Sequence, residues 1–581
     1  MKKIFCLLFC VVSILSLASC SMIAPYSSAS QTAPPTLQKT SSLADAMYAS
    51  SETPVFPQYD EESLVLGELD DYVIVYPSYY NEYRMYEVNL LRDVIKHVLG
   101  FELEVISDAE PQREHEIILA SSNHYNGVND TLDLFQSGLD YVVGVVHGNI
   151  ILGGNNYYAD MRAIYEFMAN YLGYDDLSNA YTEPAHEISC LEVRLYQKPP
   201  LVLLAANYSV SAFTEQFAIR DMHDAHFNLT LVETGYYTKQ ELHNFTKWCA
   251  RYDIFVIFRG IRDTDIYLDC PIIWGHIIRD EPTADTYMQY SEECDAYIKE
   301  YGKYGWKPLV NYLGNSRYWQ FHSEAEGFFE TVPVVSFDRY FGKQILFTND
   351  DLLTVFESAR DLSLRTGKDM WSYIECYNTA NRQQNTNKML RWSSYVSLSF
   401  GAKGILYFQY GDASPNYSVE GDWSKGSLVN WDFSKNQAWY DAKETNEELL
   451  KLAPVYCNYK AVAANTINAN KEFASVYLQD AYPYVNNYIT DFINPQESFD
   501  TYLLGFFEEN DGNGKAFTIV NLEDIDSIPY LQAEPKYAQI KINGENITFY
   551  LNGEPQDITP DTNGYYNINL ANGYCWFITA D

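Results

Sequence analysis

Basic residues are scarce in this chain: 39 Lys plus Arg stand against 78 Asp plus Glu, for a formal net charge of −39. A surface of that sign repels a phosphate backbone, so nucleic acid is not an expected partner. No G-x-G-x-x-G or G-x-x-x-x-G-K-[ST] loop is present, which removes the usual cradles for dinucleotides and nucleoside triphosphates. A G-x-S-x-G elbow is missing too, and with it the commonest frame for a serine nucleophile. The ten cysteines show no C-x-x-C spacing and no dense disulfide pattern, so single buried thiols are the default and Cys249 with Cys270 is a chance pairing at most. His223-x-x-His226 beside Asp221 and Asp224 has a metal-like look, but polar residues at a helix end are ordinarily solvated or capping. No cofactor and no metal are expected. Beyond residue 20 no apolar run reaches the roughly 20 residues of a spanning helix.

What is present is enough apolar material for a large core. Hydrophobic residues make up 47% and charged residues 20% of 581 positions, which excludes disorder over most of the length and allows three or four domains of about 150 residues each. Tyrosine is abundant, with 51 residues. Rings that also hydrogen-bond suit sugar surfaces, and composition drift explains the same count.

The amino terminus has a specific form. Met1-Lys2-Lys3 precedes an apolar run from Ile4 to Leu17 and then Ala18-Ser19-Cys20, the layout of an export signal with a small-residue cleavage site. Leu17-Ala18-Ser19-Cys20 resembles the bacterial lipobox, which implies cleavage after residue 19, lipidation of Cys20 and a membrane-anchored protein on the bacterial cell surface. An ordinary secretory signal with an incidental Cys20 is the alternative. Ser, Thr, Ala, Pro and Gln dominate residues 20–64, as expected of a flexible tether.

The hydrophobic pattern then changes twice. Over 65–195, strand-like and helix-like stretches alternate, including a hairpin at Tyr141 to Val146 and Asn149 to Gly153 turned by His147-Gly148. Element order and the Ile117-Ile118-Leu119-Ala120 strand resemble the non-catalytic α/β domain that precedes the barrel in β-hexosaminidases and α-glucuronidases. Over 196–460, eight apolar strand candidates at 201–206, 228–233, 253–259, 272–279, 308–312, 332–337, 369–375 and 403–410 alternate with helical stretches. That repeat predicts a (β/α)8 barrel, with a doubly wound sheet as the alternative. Over 461–581, short alternating strands and Asp511-Gly512 and Asn552-Gly553 turns predict an antiparallel β-sandwich that buttresses the barrel. The expected chain is thus an N-terminal α/β accessory domain, a central barrel and a C-terminal sandwich.

Barrel enzymes carry their chemistry at the carboxyl ends of the strands, and strand four ends in Asp280-Glu281-Pro282. This resembles the (β/α)8 retaining glycoside hydrolases whose fourth strand ends in Asn-Glu-Pro or a variant, and, with Gly401-Ala402-Lys403-Gly404-Ile405, also bacterial lipoproteins of glycoside-hydrolase-like fold. The resemblance implies Glu281 as acid/base and, at the end of strand seven, Glu375 as nucleophile. Asp280 stands where the pattern has an Asn that contacts the sugar 2-hydroxyl. Tyr340 resembles the tyrosine that hydrogen-bonds the nucleophile.

Chemistry asks for two carboxyl groups in different protonation states, about 5–5.5 Å apart for retention or about 6.5–9.5 Å for inversion. Trp274, Trp371 and Tyr410 are candidate stacking faces for sugar, with core packing the competing role for the tryptophans. Asn207, Glu233, Arg259, Asn311 and Gln409, near other strand ends, are candidate contacts to sugar hydroxyls. A carbohydrate partner and a glycosidase are expected, with a non-catalytic glycan-binding or scaffold lipoprotein as the alternative.

Overall fold

The computed structural model describes residues 54–207, 215–260, 268–282, 287–313, 332–340, 350–376, 387–412, 426–468, 487–493, 501–522, 535–571 and 573–580. The signal, Cys20 and most of the tether lie outside the described residues. All the described residues fall within one unit bounded by Ser41 and Asp581.

Eight parallel strands close on themselves: Val202–Asn207, Leu229–Glu233, Phe255–Arg259, Ile273–Asp280, Lys307–Leu313, Val334–Asp338, Asp369–Glu375 and Ala402–Phe408. Closure is made by strand one pairing with strand eight, Val202 opposite Gly404 through Ala205 opposite Tyr407. That ladder rules out the doubly wound alternative. Near-continuous apolar strands are what a sheet covered on both faces requires, and the helices between them supply the outer cover. Helix Lys239–Arg251 opens on a capping box, Thr238 accepting from the Glu241 amide while Glu241 reaches back to the Thr238 amide.

Two tryptophans fill the barrel floor. Trp274 and Trp371 are each 2% exposed, with ring centroids 5.2 Å apart. A register shift beside Gly275 breaks the alternation of strand four. Gly404 is needed for a different reason: a Cβ there would sit 2.6 Å from the Trp371 ring, so only bare backbone leaves room for the indole. Trp274 also lines a small cavity with Val202, Leu229 and Phe255, residues at the amino-terminal starts of their strands.

Before the barrel lies a six-stranded mixed sheet, ordered Glu192–Arg194, Tyr141–Val146, Asn149–Gly153, Glu116–Leu119, Val73–Tyr76, Glu104–Ser107. Its hairpin turns at His147 (φ 50°) and Gly148 (φ 73°), the left-handed pair of a two-residue connection whose twist matches the flanking strands. Helices Met85–Leu99 and Tyr157–Asn170 pack on each other, and the second also packs on barrel helix Lys239–Arg251. Glu87 fastens this junction from within, bonded to Lys247 Nζ at 2.8 Å and to Tyr157 Oη at 2.9 Å.

After the barrel, helix Gln437–Tyr456 leads into strand Tyr459–Asn468, a ten-residue strand that the sequence pattern does not mark. It pairs with Thr501–Glu509 in a six-stranded antiparallel sheet. A three-stranded sheet of Ile489–Ile493, Tyr537–Ile542 and Tyr566–Asn569 shares an apolar cluster with it, including Leu504, Phe506, Ile519, Ile540 and Ile568. Among the described residues no helix is long and apolar enough to cross a membrane, and the seven cysteines from Cys190 to Cys575 are free thiols.

Candidate active site at the barrel mouth

Strand four delivers two consecutive carboxyl groups because its end is irregular. The pairing with strand five shifts register between Ile277 and Arg279, so that Asp280 lies opposite Asn311. Glu281 follows at φ 48°, a left-handed backbone that a glutamate before proline rarely adopts and that costs on the order of 1–3 kcal/mol. Its amide is tied to the Asn311 carbonyl at 2.9 Å. The strained residue is exposed, whereas Asp280 and Pro282 on either side are half-buried.

A polar network runs along the strand ends from two to six. Arg259 Nε lies 3.4 Å from Glu233 Oε2, and its Nη1 lies 3.8 Å from Asp280 Oδ2. Asn311 Nδ2 donates to Asp280 Oδ1 at 3.2 Å, and Ser336 Oγ donates to Asn311 Oδ1 at 3.0 Å. Burial raises the Asp280 carboxyl pKa, against the opposing pull of Asn311 and Arg259. Asp338, the last residue of strand six, is 4% exposed. Burial first, then Glu281 and Asp280, push its carboxyl up to about 8.

The carboxyl group that Glu281 helps to perturb is Asp338, which the motifs do not single out.

Glu375 closes strand seven at 2% exposure, its backbone opposite Phe408. Tyr340 stacks on that same Phe408 with ring centroids 5.7 Å apart, beside the strand pair that carries Glu375. Cys376 follows; its thiol pKa is raised well above the ordinary value by burial and by the nearby charges of Glu375 and Asp412, which leaves it a poor nucleophile. Asn207 ends strand one at 3% exposure. Gln409 is fully buried just past strand eight, its carbonyl accepting from Cys376 Sγ at 3.1 Å.

Three expected sugar-stacking residues are corrected by their surroundings. Trp274 and Trp371 sit near the amino ends of their strands and fill the floor, far down the barrel from a ligand at the carboxyl ends. Tyr410 is 1% exposed, edge-on to Phe227 at 5.6 Å, with its hydroxyl 3.3 Å from Trp439 Nε1. It packs the barrel against the last helix.

An aromatic ring that does reach solvent is Trp431, 52% exposed. It belongs to the connection between strand eight and helix Gln437–Tyr456, and parallel topology puts every such connection on the carboxyl face. Hydrogen bonds from Asn430 Nδ2 to Ser434 Oγ and from the Ser434 amide to Asp432 hold its turn. Among the described residues no group of three or more His, Cys, Asp or Glu side chains is set to hold a metal ion; His223 Nδ1 lies 3.7 Å from Asp224 Oδ1.

Fold and site together define an eight-stranded barrel protein with an acid-lined mouth. No protein-family profile matches the chain, and no curated protein matches it. Among solved structures it is similar to a glycoside hydrolase family 30 subfamily 8 xylanase from Clostridium acetobutylicum, at 11% identity over 65% of this chain and 95% of that one, TM-score 0.28. It is similar to a GH20 β-N-acetylhexosaminidase from Streptomyces coelicolor A3(2), at 10% identity over 64% and 78%, TM-score 0.28. A 3-deoxy-D-arabino-heptulosonate 7-phosphate synthase from Thermotoga maritima is similar too, at 11% identity over 44% and 88%, TM-score 0.27. Two glycoside hydrolases and a synthase at such values assign no activity to this chain.

Proposed function

We propose that the protein is a glycoside hydrolase of the bacterial cell surface, exported and anchored through a lipid on Cys20, acting on plant, mucin or other oligosaccharides. Glu281 delivers a proton to the leaving oxygen, and Glu375 attacks the anomeric carbon as the carbon–oxygen bond breaks. Water then displaces Glu375 and returns a proton to the acid, the two-step route to retention. Asp280, Asn207, Asn311, Tyr340 and Gln409 are the candidate contacts to the sugar, and Trp431 offers the stacking face.

The observation that carries this reading is an exposed, backbone-strained Glu281 at the end of strand four, with the buried carboxyl groups Asp338 and Glu375 at the ends of strands six and seven of a closed barrel.

The test is turnover of a panel of aryl glycosides. Glu281→Gln and Glu375→Gln should each lower kcat by at least about 10³-fold with little loss of glycan affinity. Proton NMR of the first-formed anomer reads retention against inversion. The 2% exposure of Glu375 favours a second reading, a non-catalytic glycan-binding cup, and wild-type turnover equal to that of both variants would select it. Anchoring is tested apart: Cys20→Ala should release the protein from the membrane fraction and abolish incorporation of labelled palmitate.

A further inference from the structure

We propose that the turn carrying Trp431 is a raised sugar-binding step on the barrel rim, set across the mouth from Glu281, and that it selects uncharged oligosaccharides of several units. The inference rests on the sugar-ligand part of the proposed function and not on cleavage.

Its ground is the build of the turn. Val429 runs parallel to Gly411, just past the end of strand eight, and pairs antiparallel with Lys435. The chain therefore climbs away from the strand ends through Asn430, turns at Trp431 and Asp432, and descends into helix Gln437–Tyr456. At its foot the Val429 amide donates to the Tyr410 carbonyl at 2.9 Å, and the Asp412 amide donates to the Val429 carbonyl at 2.8 Å. At its tip the Asn430 amide donates to the Ser434 carbonyl and the Phe433 amide to the Asn430 carbonyl, each at 2.9 Å. Ser434 Oγ donates to Asp432 Oδ1 at 2.6 Å.

Phe433 takes φ 66°, a left-handed backbone that an aromatic residue rarely adopts. Its ring lies edge-on to Phe217 of helix Gln216–Asp224, with centroids 5.1 Å apart. Folding alone gains little from straining one aromatic residue to hold another half exposed at a tip. The arrangement instead gives a ligand a stacking surface that is already rigid.

Size and charge identify the ligand. Trp431 is 52% and Phe217 37% exposed, about 200 Å² of ring surface together, well short of the roughly 800 Å² per partner that a stable protein interface covers. Sugar rings suit that area. Asp432 beside the indole is exposed, and hydrogen bonds from Ser434 lower its pKa, so it is ionised at neutral pH. Lys435, the cation of the turn, lies 2.7 Å from Asp221 Oδ1. With a formal net charge of −39 on the chain and Asp280 and Glu281 at the mouth, uronate and sulfated chains are repelled. Strands four and eight are diametrically opposed in the closed ring, about 15 Å apart for eight strands tilted at about 36°. A ligand that touches both Glu281 and Trp431 is therefore a chain and not a single ring.

Titration calorimetry on the full chain tests the step, with Glu281→Gln as parent so that no probe is consumed. The probes are cellotriose and cellohexaose, their xylose and mannose counterparts, and hexagalacturonate as the acidic chain. At least one neutral hexasaccharide should bind more tightly than its trisaccharide and than hexagalacturonate. Trp431→Ala should weaken that hexasaccharide by about 10–50-fold and remove the advantage of length, while Trp431→Phe restores most of it. If Trp431→Ala fails to fold, bound hexasaccharide should still protect Trp431 of the parent from N-bromosuccinimide, read by peptide mass spectrometry.

Binding of none of the neutral probes, tighter binding of hexagalacturonate, or binding by Trp431→Ala equal to the parent's overturns the proposal. Release of reducing ends by the wild-type chain is read separately. Trp431-dependent binding without release keeps the step and removes the hydrolase, whereas release together with unaltered binding by Trp431→Ala does the reverse.

Discussion

Two buried carboxyl groups with raised pKa values, Asp160 in the N-terminal α/β region and Asp338 at the barrel mouth, look alike until their neighbours are compared. Asp160 is fully buried, and burial pushes it up to about 7. It accepts from Tyr80 Oη at 2.8 Å, the Gly154 amide at 3.1 Å, the Ser121 amide at 3.3 Å and the Ser121 hydroxyl. Those donors satisfy it from all sides, and it fastens the ends of two strands to helix Tyr157–Asn170. Asp338 instead faces two carboxyl groups, Glu281 and Asp280. A raised pKa marks chemistry when its cause includes a like charge beside an open mouth, and architecture when donors surround the group.

Substitutions can break or sharpen that contrast. The largest effect is expected for Asp160→Ala, which strands four donors in the interior and should cost about 3–5 kcal/mol in urea unfolding. The kcat of the protein that remains folded should be unchanged.

The next effect, pH-dependent and opposite in sign, is expected for Asp338→Asn. A carboxyl whose folded-state pKa is raised from 3.8 to about 8 makes the folded chain bind an extra proton between those values, so its contribution to stability falls as pH rises through that window. The variant lacks this penalty. Its melting temperature should match the wild type near pH 4 and exceed it increasingly up to about pH 8, with a gain of at most about 6 kcal/mol. If the gap instead opened toward acid pH, the two aspartates would not differ as described.

The smallest effect is expected for Arg259→Met. The side chain is 42% exposed, so stability should change by less than about 1 kcal/mol. Loss of the cation beside Asp280 should move the basic limb of the pH profile upward by less than about one unit.

The barrel is legible in the sequence because strands buried on both faces are uninterrupted apolar runs. The expected 369–375 strand coincides with the observed one, and the other seven differ by a residue or two at their ends. Strand Tyr459–Asn468 escapes notice because its Ala461, Ala463 and Ala464 carry little of the bulk that marks a strand. Within the site, Asp280 and Glu281 are legible from the Pro282 that ends the strand. Asp338 is not, since Ser336-Phe337-Asp338 forms no motif and Glu281, which helps to perturb it, lies two β–α units away. The tryptophans mislead for a different reason: Trp274 is the second residue of strand four and Trp371 the third of strand seven. Counting from the strand starts puts both low in the barrel, so residue position along the strand outweighs the affinity of an indole for sugar.

The paired indoles seated on Gly404 have one more consequence. They stopper the amino end of the barrel, so the lower ends of its strands offer no passage through it, and a ligand of the proposed kind would have to approach from the carboxyl face alone.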